Sequence, residues 1–289
     1  MRIFAIELNN EIKGIAKRKE YIESIIASLP SPDFVALPEL ALCSYMASQE
    51  IWQYADKIGN DTTSWAKKIA LKYNTYIGVG YLDWENNNYY NRYLIAGPQA
   101  VYGSITKSEG ESAVFKRGSF GNIVQTPVGN IAIGICYDSR RKHFYDNIKN
   151  EEISLILFPH GSPANPKKGL KEQYDNDYLC MEYVRAFNVP VVYINSVGPI
   201  EFMPGIMGRM MRNAGFSLNG KTRIYSLFGE SILSDRQDVI GIDLPISSQK
   251  LKQEIKFYGD NLVKGNWFFR HFILKKDIVR GIKSYEENK

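Results

Sequence analysis

Short runs rich in branched apolar residues recur along this chain, several of them separated by no more than a turn, while stretches at helical spacing separate others. IFAIEL, FVALPE, YIGVGYL, RYLIAG, AVYGSIT, NIAIGIC, SLILFPH, VPVVYIN and VIGIDL read as strands, and GFSLNGKTRIYSLFG reads as a hairpin. KGIAKRKEYIESIIASL, TTSWAKKIALKYN and KEQYDNDYLCMEYVRAF place apolar residues three and four apart and read as helices. Turn chemistry at Gly97-Pro98 and Gly129-Asn130 joins neighbouring strands directly. A purely parallel, doubly wound sheet does not tolerate so many adjacent strands. The pattern is that of an α/β protein whose sheets mix hairpins with crossover helices.

No repeat, low-complexity tract or long linker divides the chain, so one domain to about residue 245 is the economical reading. Residues 246–289 combine helical charge patterning with Trp267, Phe268, Phe269 and Phe272, an aromatic cluster that needs an apolar surface on the domain or on a partner subunit. With 289 residues, 44% of them hydrophobic, the chain can build a sizeable core. Its formal charge of +5 comes from lysines and arginines spread along the sequence, which leaves no nucleic-acid footprint. No apolar run approaches the roughly 18 residues of a membrane helix, and MRIFAIELNN lacks the apolar core of a signal peptide. Cys43, Cys136 and Cys180 are odd in number and unpaired in spacing, which points to a reducing cytoplasm rather than a disulfide framework.

NIAIGICYDSRRKHFYD carries Cys136 from a strand-like run into a polar, helix-compatible stretch. Its thiol is thereby expected at a strand end and beside a helix N-terminus, where backbone N–H groups stabilise a thiolate and can hold an oxyanion. A free cysteine is also among the residues most often buried, so a packing reading stands beside the nucleophile reading. Cys43 and Cys180, one in an apolar stretch and one within a helix, carry the packing reading alone. A cysteine nucleophile needs a base. His143, His160 and His271 are available, but no spacing pairs one of them with Cys136. Three scattered histidines make no metal-ligand pattern, no G-x-S-x-G elbow occurs, and neither metal nor cofactor is expected.

A carboxylate can replace the histidine. FVALPELALCSY leaves Glu39 at a strand end among apolar residues, where burial would raise its pKa into the range useful for proton transfer, although a surface glutamate opening a helix fits the segment equally. Lys107 ends AVYGSIT in the same way and, taken alone, reads as a surface lysine. Together, Glu39, Lys107 and Cys136 occupy the strand ends at which α/β layers collect reactive groups.

This constellation resembles the nitrilase superfamily, the carbon-nitrogen hydrolases with a Glu-Lys-Cys triad. The family's P-E-x-x-x-x-x-Y pattern is matched by LPELALCSY, and its strand pair running into the triad lysine by YYNRYLIAGPQAVYGSITK, with Asn91 and Lys107. The glutamate and glycine after that lysine resemble GESAVFKRG, the T-P-x-G hairpin matches TPVGNIAIG, and the nucleophile segment I-C-Y-D-x-R matches ICYDSR. YVRAFNVPVVYINSVG resembles the R-A-x-x-N helix and the strand after it. After Arg140 the chain leaves the family pattern at Arg141-Lys142-His143, and EFMPGIMGRMMRNAGFSLNGKTR follows the later strand only loosely.

The resemblance implies a four-layer α-β-β-α sandwich with mixed sheets and a homo-oligomer, a dimer or larger. It implies that Cys136 attacks an amide, N-carbamoyl or, less often, nitrile carbon of a small molecule, releasing amine or ammonia. Glu39 would take the thiol proton and later activate water, while Lys107 and the Tyr137 N–H would hold the oxyanion. Lys116 is the rival for the lysine role. A second glutamate that orders the triad falls on Glu111, with Glu109 as the alternative. Tyr45, Tyr137, Arg140, Gly161 and Ser162 would border the substrate, and Arg209 and Arg212 join Arg140 as candidate partners for a substrate carboxylate. The competing expectations are acyl transfer to an acceptor other than water and a non-catalytic scaffold.

Overall fold

The computed structural model describes residues 1–119, 121–200, 205–232, 238–264 and 274–289. Two large sheets lie face to face. The first runs Val239–Asp243, Arg2–Ile6, Phe34–Ala36, Tyr76–Glu85, Asn88–Ala96, Val101–Thr106, with Asp56–Lys57 added beside Tyr76–Glu85. The second runs Gly229–Ile232, Arg223–Ser226, Val191–Ile194, Leu155–Pro159, Gly129–Ile133, Ile123–Thr126. Each mixes parallel neighbours, as in Phe34–Ala36 beside Tyr76–Glu85, with antiparallel hairpins such as Asn88–Ala96 with Val101–Thr106.

The side-chain alternation of the strands assigns each residue a layer. Ile131, Ile133, Leu155 and Leu157 face Ile3, Ala5, Phe34, Tyr93 and Ile95 of the other sheet in one buried cluster. The intervening Ala132, Ile156 and Phe158 face outward, where they pack on Phe144 and Tyr145 and on Leu179, Cys180, Tyr183 and Phe187 of the helix Gly169–Phe187. On the far side, Val35, Leu37, Ile77 and Val79 pack on Ile22 and Ile26 of the helix Ile15–Ala27 and on Trp65, Ala66 and Ile69 of the helix Asn60–Tyr73. Helices thus cover the outer face of both sheets, giving the four-layer α-β-β-α sandwich expected from the resemblance.

Two local expectations are corrected. GFSLNGKTRIYSLFG is not one hairpin: Ser217–Asn219 pairs with Pro163–Ala164 and Ser196–Pro199 in a small third sheet, whereas Arg223–Ser226 joins the second large sheet. Gly220 and Lys221, at φ of 65° and 64°, turn the chain from one sheet to the other. Nor does Cys136 meet an α-helix directly. The strand ends at Ile133, residues Cys136–Arg140 form a 3-10 turn, and the α-helix is confined to Lys142–Ile148 because Arg141 is extended, at φ −93° and ψ 142°.

The aromatic cluster of Trp267, Phe268, Phe269 and Phe272, and His271 with it, lies outside the described residues. Beyond it, the helix Lys275–Asn288 lies against the same chain. The Tyr285 hydroxyl accepts the Tyr89 N–H at 2.8 Å, and its ring meets Trp52 edge-on at 5.8 Å between centroids. Among the described residues, no helix is long and apolar enough to cross a membrane, and no group of three or more His, Cys, Asp or Glu could hold a metal ion.

Candidate active site

Both large sheets contribute to one site. Glu39 follows the strand Phe34–Ala36 and Lys107 follows Val101–Thr106, both in the first sheet; Cys136 follows Gly129–Ile133 and Gly161 follows Leu155–Pro159, both in the second. The apolar runs carry the chain through the core and release the polar residue at the sheet edge, where the first coil residues are free to turn inward.

Glu39 and Lys107 are each 1% exposed, so neither is the surface residue that its own segment allows. Lys107 Nζ donates to Glu39 Oε1 at 2.6 Å and to both Glu111 oxygens at 3.2 Å. Asn91 Nδ2 donates to Glu39 Oε1 at 2.7 Å, and the Gly161 N–H donates across the sheet gap to Glu39 Oε2 at 2.7 Å. Glu111, not Glu109, therefore stands beside Lys107. Glu109 instead accepts from Arg141 Nε at 2.8 Å and Arg117 at 3.2 Å, with His143 3.7 Å away. Lys116 lies at the surface, 3.3 Å from Glu286.

The electrostatics follow from this arrangement. Burial pushes the Glu39 carboxyl up; Lys107 opposes the shift and Glu111 adds to it. Burial disfavours the Lys107 charge, but Glu111, Glu39 and Cys136 outweigh it and hold the ammonium well above its ordinary range. Burial also pushes the Cys136 thiol up, as do Glu39 and Glu111, against the pull of Lys107 and the Gly161 N–H. These effects favour the protonated Cys136 thiol over a standing thiolate, and the helix N-terminus expected to stabilise a thiolate is not adjacent. Cys136 nevertheless remains partly exposed, unlike the fully packed Cys43 and Cys180. Its φ of 52° is left-handed, a conformation that a non-glycine residue holds only when its surroundings over-determine it.

Asp138 and Asn91 are the supports that sequence reasoning left without a role. Asp138, 0% exposed, accepts the Ser108 N–H at 2.7 Å and the Glu109 N–H at 2.8 Å, tying the Cys136–Arg140 turn to the loop just after Lys107. Burial pushes its carboxyl up to about 7, against those amides and Lys107. The available signal was an acid two places after the cysteine, but its partners are backbone amides that no side-chain pattern marks.

The expected substrate-bordering residues divide. The Tyr45 hydroxyl donates to Glu111 at 2.8 Å, and its ring lies against Gly161. The Ser162 N–H donates to Asn195 Oδ1 at 3.0 Å. Arg140 donates to Asn176, and the Tyr137 hydroxyl donates to Asn261. Arg209 and Arg212 are exposed on the helix Gly205–Asn213. His160 is buried and neutral: burial, Arg140 and Lys107 all push its pKa down, and its Nε2 lies 3.5 Å from Ser139 Oγ.

A Cβ on Gly161 would fall 2.2 Å from the Tyr45 ring, a contact that only movement of the ring or of the Gly161 amide can relieve. Gly161→Ala is therefore expected to destabilise the protein by about 1–3 kcal/mol and to weaken the amide contact with Glu39. Urea unfolding checks the first effect. An unchanged midpoint would show that the loop yields without cost.

A family model described as carbon-nitrogen hydrolase matches residues 6–244. A probable nitrilase of Schizosaccharomyces pombe is 24% identical over 199 residues, 65% of this chain and 70% of the relative. An omega-amidase of Xenopus laevis is 25% identical over 149 residues, 46% of this chain and about half, 53%, of its own length. Among solved structures, the carbon-nitrogen hydrolase of Helicobacter pylori G27 superposes with a TM-score of 0.73 at 15% identity, covering 83% of this chain and 88% of that one. An amidase from Nesterenkonia sp. gives a TM-score of 0.66 at 18% identity over 85% and 90%. These two likenesses bear on the fold, which is the sandwich described above. Because the family model spans most of the chain, this protein belongs to the carbon-nitrogen hydrolase family of enzymes.

Proposed function

We propose that this enzyme hydrolyses a non-peptide C–N bond of a small molecule, an amide or N-carbamoyl group in preference to a nitrile, through an acyl intermediate on Cys136. The observation that carries this reading is the buried Glu39–Lys107 ion pair, joined by the partly buried Glu111 and coupled electrostatically to a partly exposed Cys136 held at positive φ. The Cys136 Sγ attacks the carbonyl carbon as its proton passes to Glu39, whose raised affinity for a proton suits the task. Lys107 and the Tyr137 N–H hold the tetrahedral oxyanion. Collapse breaks the C–N bond, and the departing amine takes the proton from Glu39. Glu39 then deprotonates the water that attacks the thioester, releasing the acid and restoring the thiol. Glu111, braced by Tyr45, keeps Lys107 in place. Tyr137, Arg140, Gly161 and Ser162 border the substrate.

Relatives support the substrate class. Variants of the Nesterenkonia amidase have been solved, a double mutant in complex with acrylamide and a single mutant with the acetamide moiety of fluoroacetamide added covalently at the active site cysteine. We place the catalytic unit at residues 1–245, with 246–289 as an extension on it. A reducing cytoplasm is supported by the three free cysteines. A homo-oligomer is supported by the outward row Leu170, Tyr174 and Tyr178, exposed by 74, 71 and 42% along one helix face.

The test is ammonia or amine release from a panel of amides, N-carbamoyl compounds and nitriles, with mass spectrometry of trapped Cys136 adducts. Release with a matching acyl mass on Cys136 is expected. An adduct that resolves only onto an added amine or alcohol would make the enzyme a transferase. No turnover, with Cys136 alkylated no faster than Cys43 or Cys180, would leave the scaffold reading.

A further inference from the structure

Residues 258–262 lie in the extension, outside the segment matched by the family model, yet they are bonded to the nucleophile turn at several points. The Lys142 N–H donates to the Asp260 carbonyl at 2.9 Å, the Leu262 N–H donates to the Arg140 carbonyl at 2.9 Å, and Arg141 and Asn261 form an antiparallel bridge. The segment cannot lift off cheaply, because Leu262 is wholly buried among Phe144, Tyr183 and their neighbours. From this anchored position, Asn261, 4% exposed, accepts the Tyr137 hydroxyl on Oδ1 at 3.2 Å. The Arg141 guanidinium lies over the same Tyr137 ring, 5.7 Å from its centroid, and holds Glu109, whose own N–H is bonded to Asp138. The Arg141-Lys142-His143 segment, where the chain leaves the family pattern, is thus the seam between the extension and the site.

We propose that Asn261 is a positioning residue for the nucleophile turn, acting through Tyr137. Tyr137 follows Cys136 directly, so the plane of the peptide joining them is fixed by the Cys136 backbone on one side and by the Tyr137 side chain on the other. Cys136 is in a left-handed conformation that its own sterics resist. A tether on the Tyr137 hydroxyl keeps that peptide, and the N–H assigned to the oxyanion, from rotating away. This inference deepens the acyl-enzyme reading and rests on it for the role of the Tyr137 N–H.

The experiment compares Tyr137→Phe, Asn261→Leu, their double variant and Asn261→Asp in the full chain. Its readouts are kcat and KM on the best amide of the panel, the rate of Cys136 alkylation by iodoacetamide, and Tm. Tyr137→Phe and Asn261→Leu are each expected to lower kcat about tenfold, the size of one net hydrogen bond, with KM little changed. The double variant should lose no more than either single, and Asn261→Asp, which keeps an acceptor for the hydroxyl, should stay within about twofold of wild type. Alkylation should slow in parallel with kcat. Wild-type kcat and wild-type alkylation in well-folded Tyr137→Phe and Asn261→Leu would overturn the proposal, as would additive losses or Asn261→Asp no better than Asn261→Leu. Should Asn261→Leu fail to fold, Tyr137→Phe, which deletes a single oxygen, decides. If wild type turns over no amide, the acyl-enzyme reading fails separately, and the alkylation rates still report whether the tether holds the turn.

Discussion

Cys136→Ala is expected to lower kcat by about 10⁴-fold or more while leaving the protein folded. In a nucleophilic mechanism, the remaining groups can bind the amide and polarise its carbonyl, but the covalent route is gone and only direct attack by water is left. The cost to stability should stay within about 1 kcal/mol, because the lost sulfur is partly exposed and alanine meets the same backbone conformation that cysteine already holds. Steady-state kinetics and a Tm measured on the same preparation separate the two effects. A variant that keeps a hundredth of wild-type turnover would remove Cys136 from the bond-breaking step, whatever its geometry suggests.

Lys107→Met should damage both fold and activity. The methionine fills much of the same volume, but it leaves Glu39 and Glu111 facing one another without the cation that now touches both. Removing one member of a buried ion pair costs about 3–5 kcal/mol. Losing an oxyanion donor lowers kcat by about 10²–10³-fold. The stability loss should also depend on pH in a stated direction. Burial already raises the Glu39 carboxyl, and without Lys107 it rises further. A carboxyl raised above its unfolded value contributes stability below that unfolded value and loses it as pH climbs through the native one. The deficit of the variant should therefore widen as pH climbs above the ordinary carboxyl range and narrow toward acid. Urea midpoints across a series of pH values check this, and a deficit independent of pH would show that Glu39 and Glu111 are not the groups left uncompensated.

The strand-end positions of Glu39, Lys107 and Cys136 were legible because each closes an apolar run, and the structure sets each just past a strand. The helices at the outer faces were legible from spacing: KEQYDNDYLCMEYVRAF falls within Gly169–Phe187. What stayed illegible depends on partners distant in sequence. Asn91 reaches Glu39 across 52 positions and Asp138 reaches Ser108 across 30, and no local pattern announces either. The stretch SRRKHFYDNIKNEE has good helical composition, but Arg141 is extended by its bridge to Asn261 and its bond to Glu109, so tertiary contacts override the local preference and delay the helix to Lys142. The turn at Gly220 and Lys221 looked like a hairpin because periodicity shows that a strand is present but not which sheet receives it.

Glu39 and Lys107 descend from one sheet and Cys136 from the other, so the apolar layer between the sheets sets the distance between them. Ile133 and Leu157 are wholly buried between the sheets, and their girth sets how far the ledge bearing Cys136 and Gly161 stands from the ledge bearing Glu39 and Lys107. The interior of this protein therefore does two things at once, holding the sheets together and spacing the groups at their edges. A substitution that changes the girth of either side chain should shift that gauge unless a facing residue compensates.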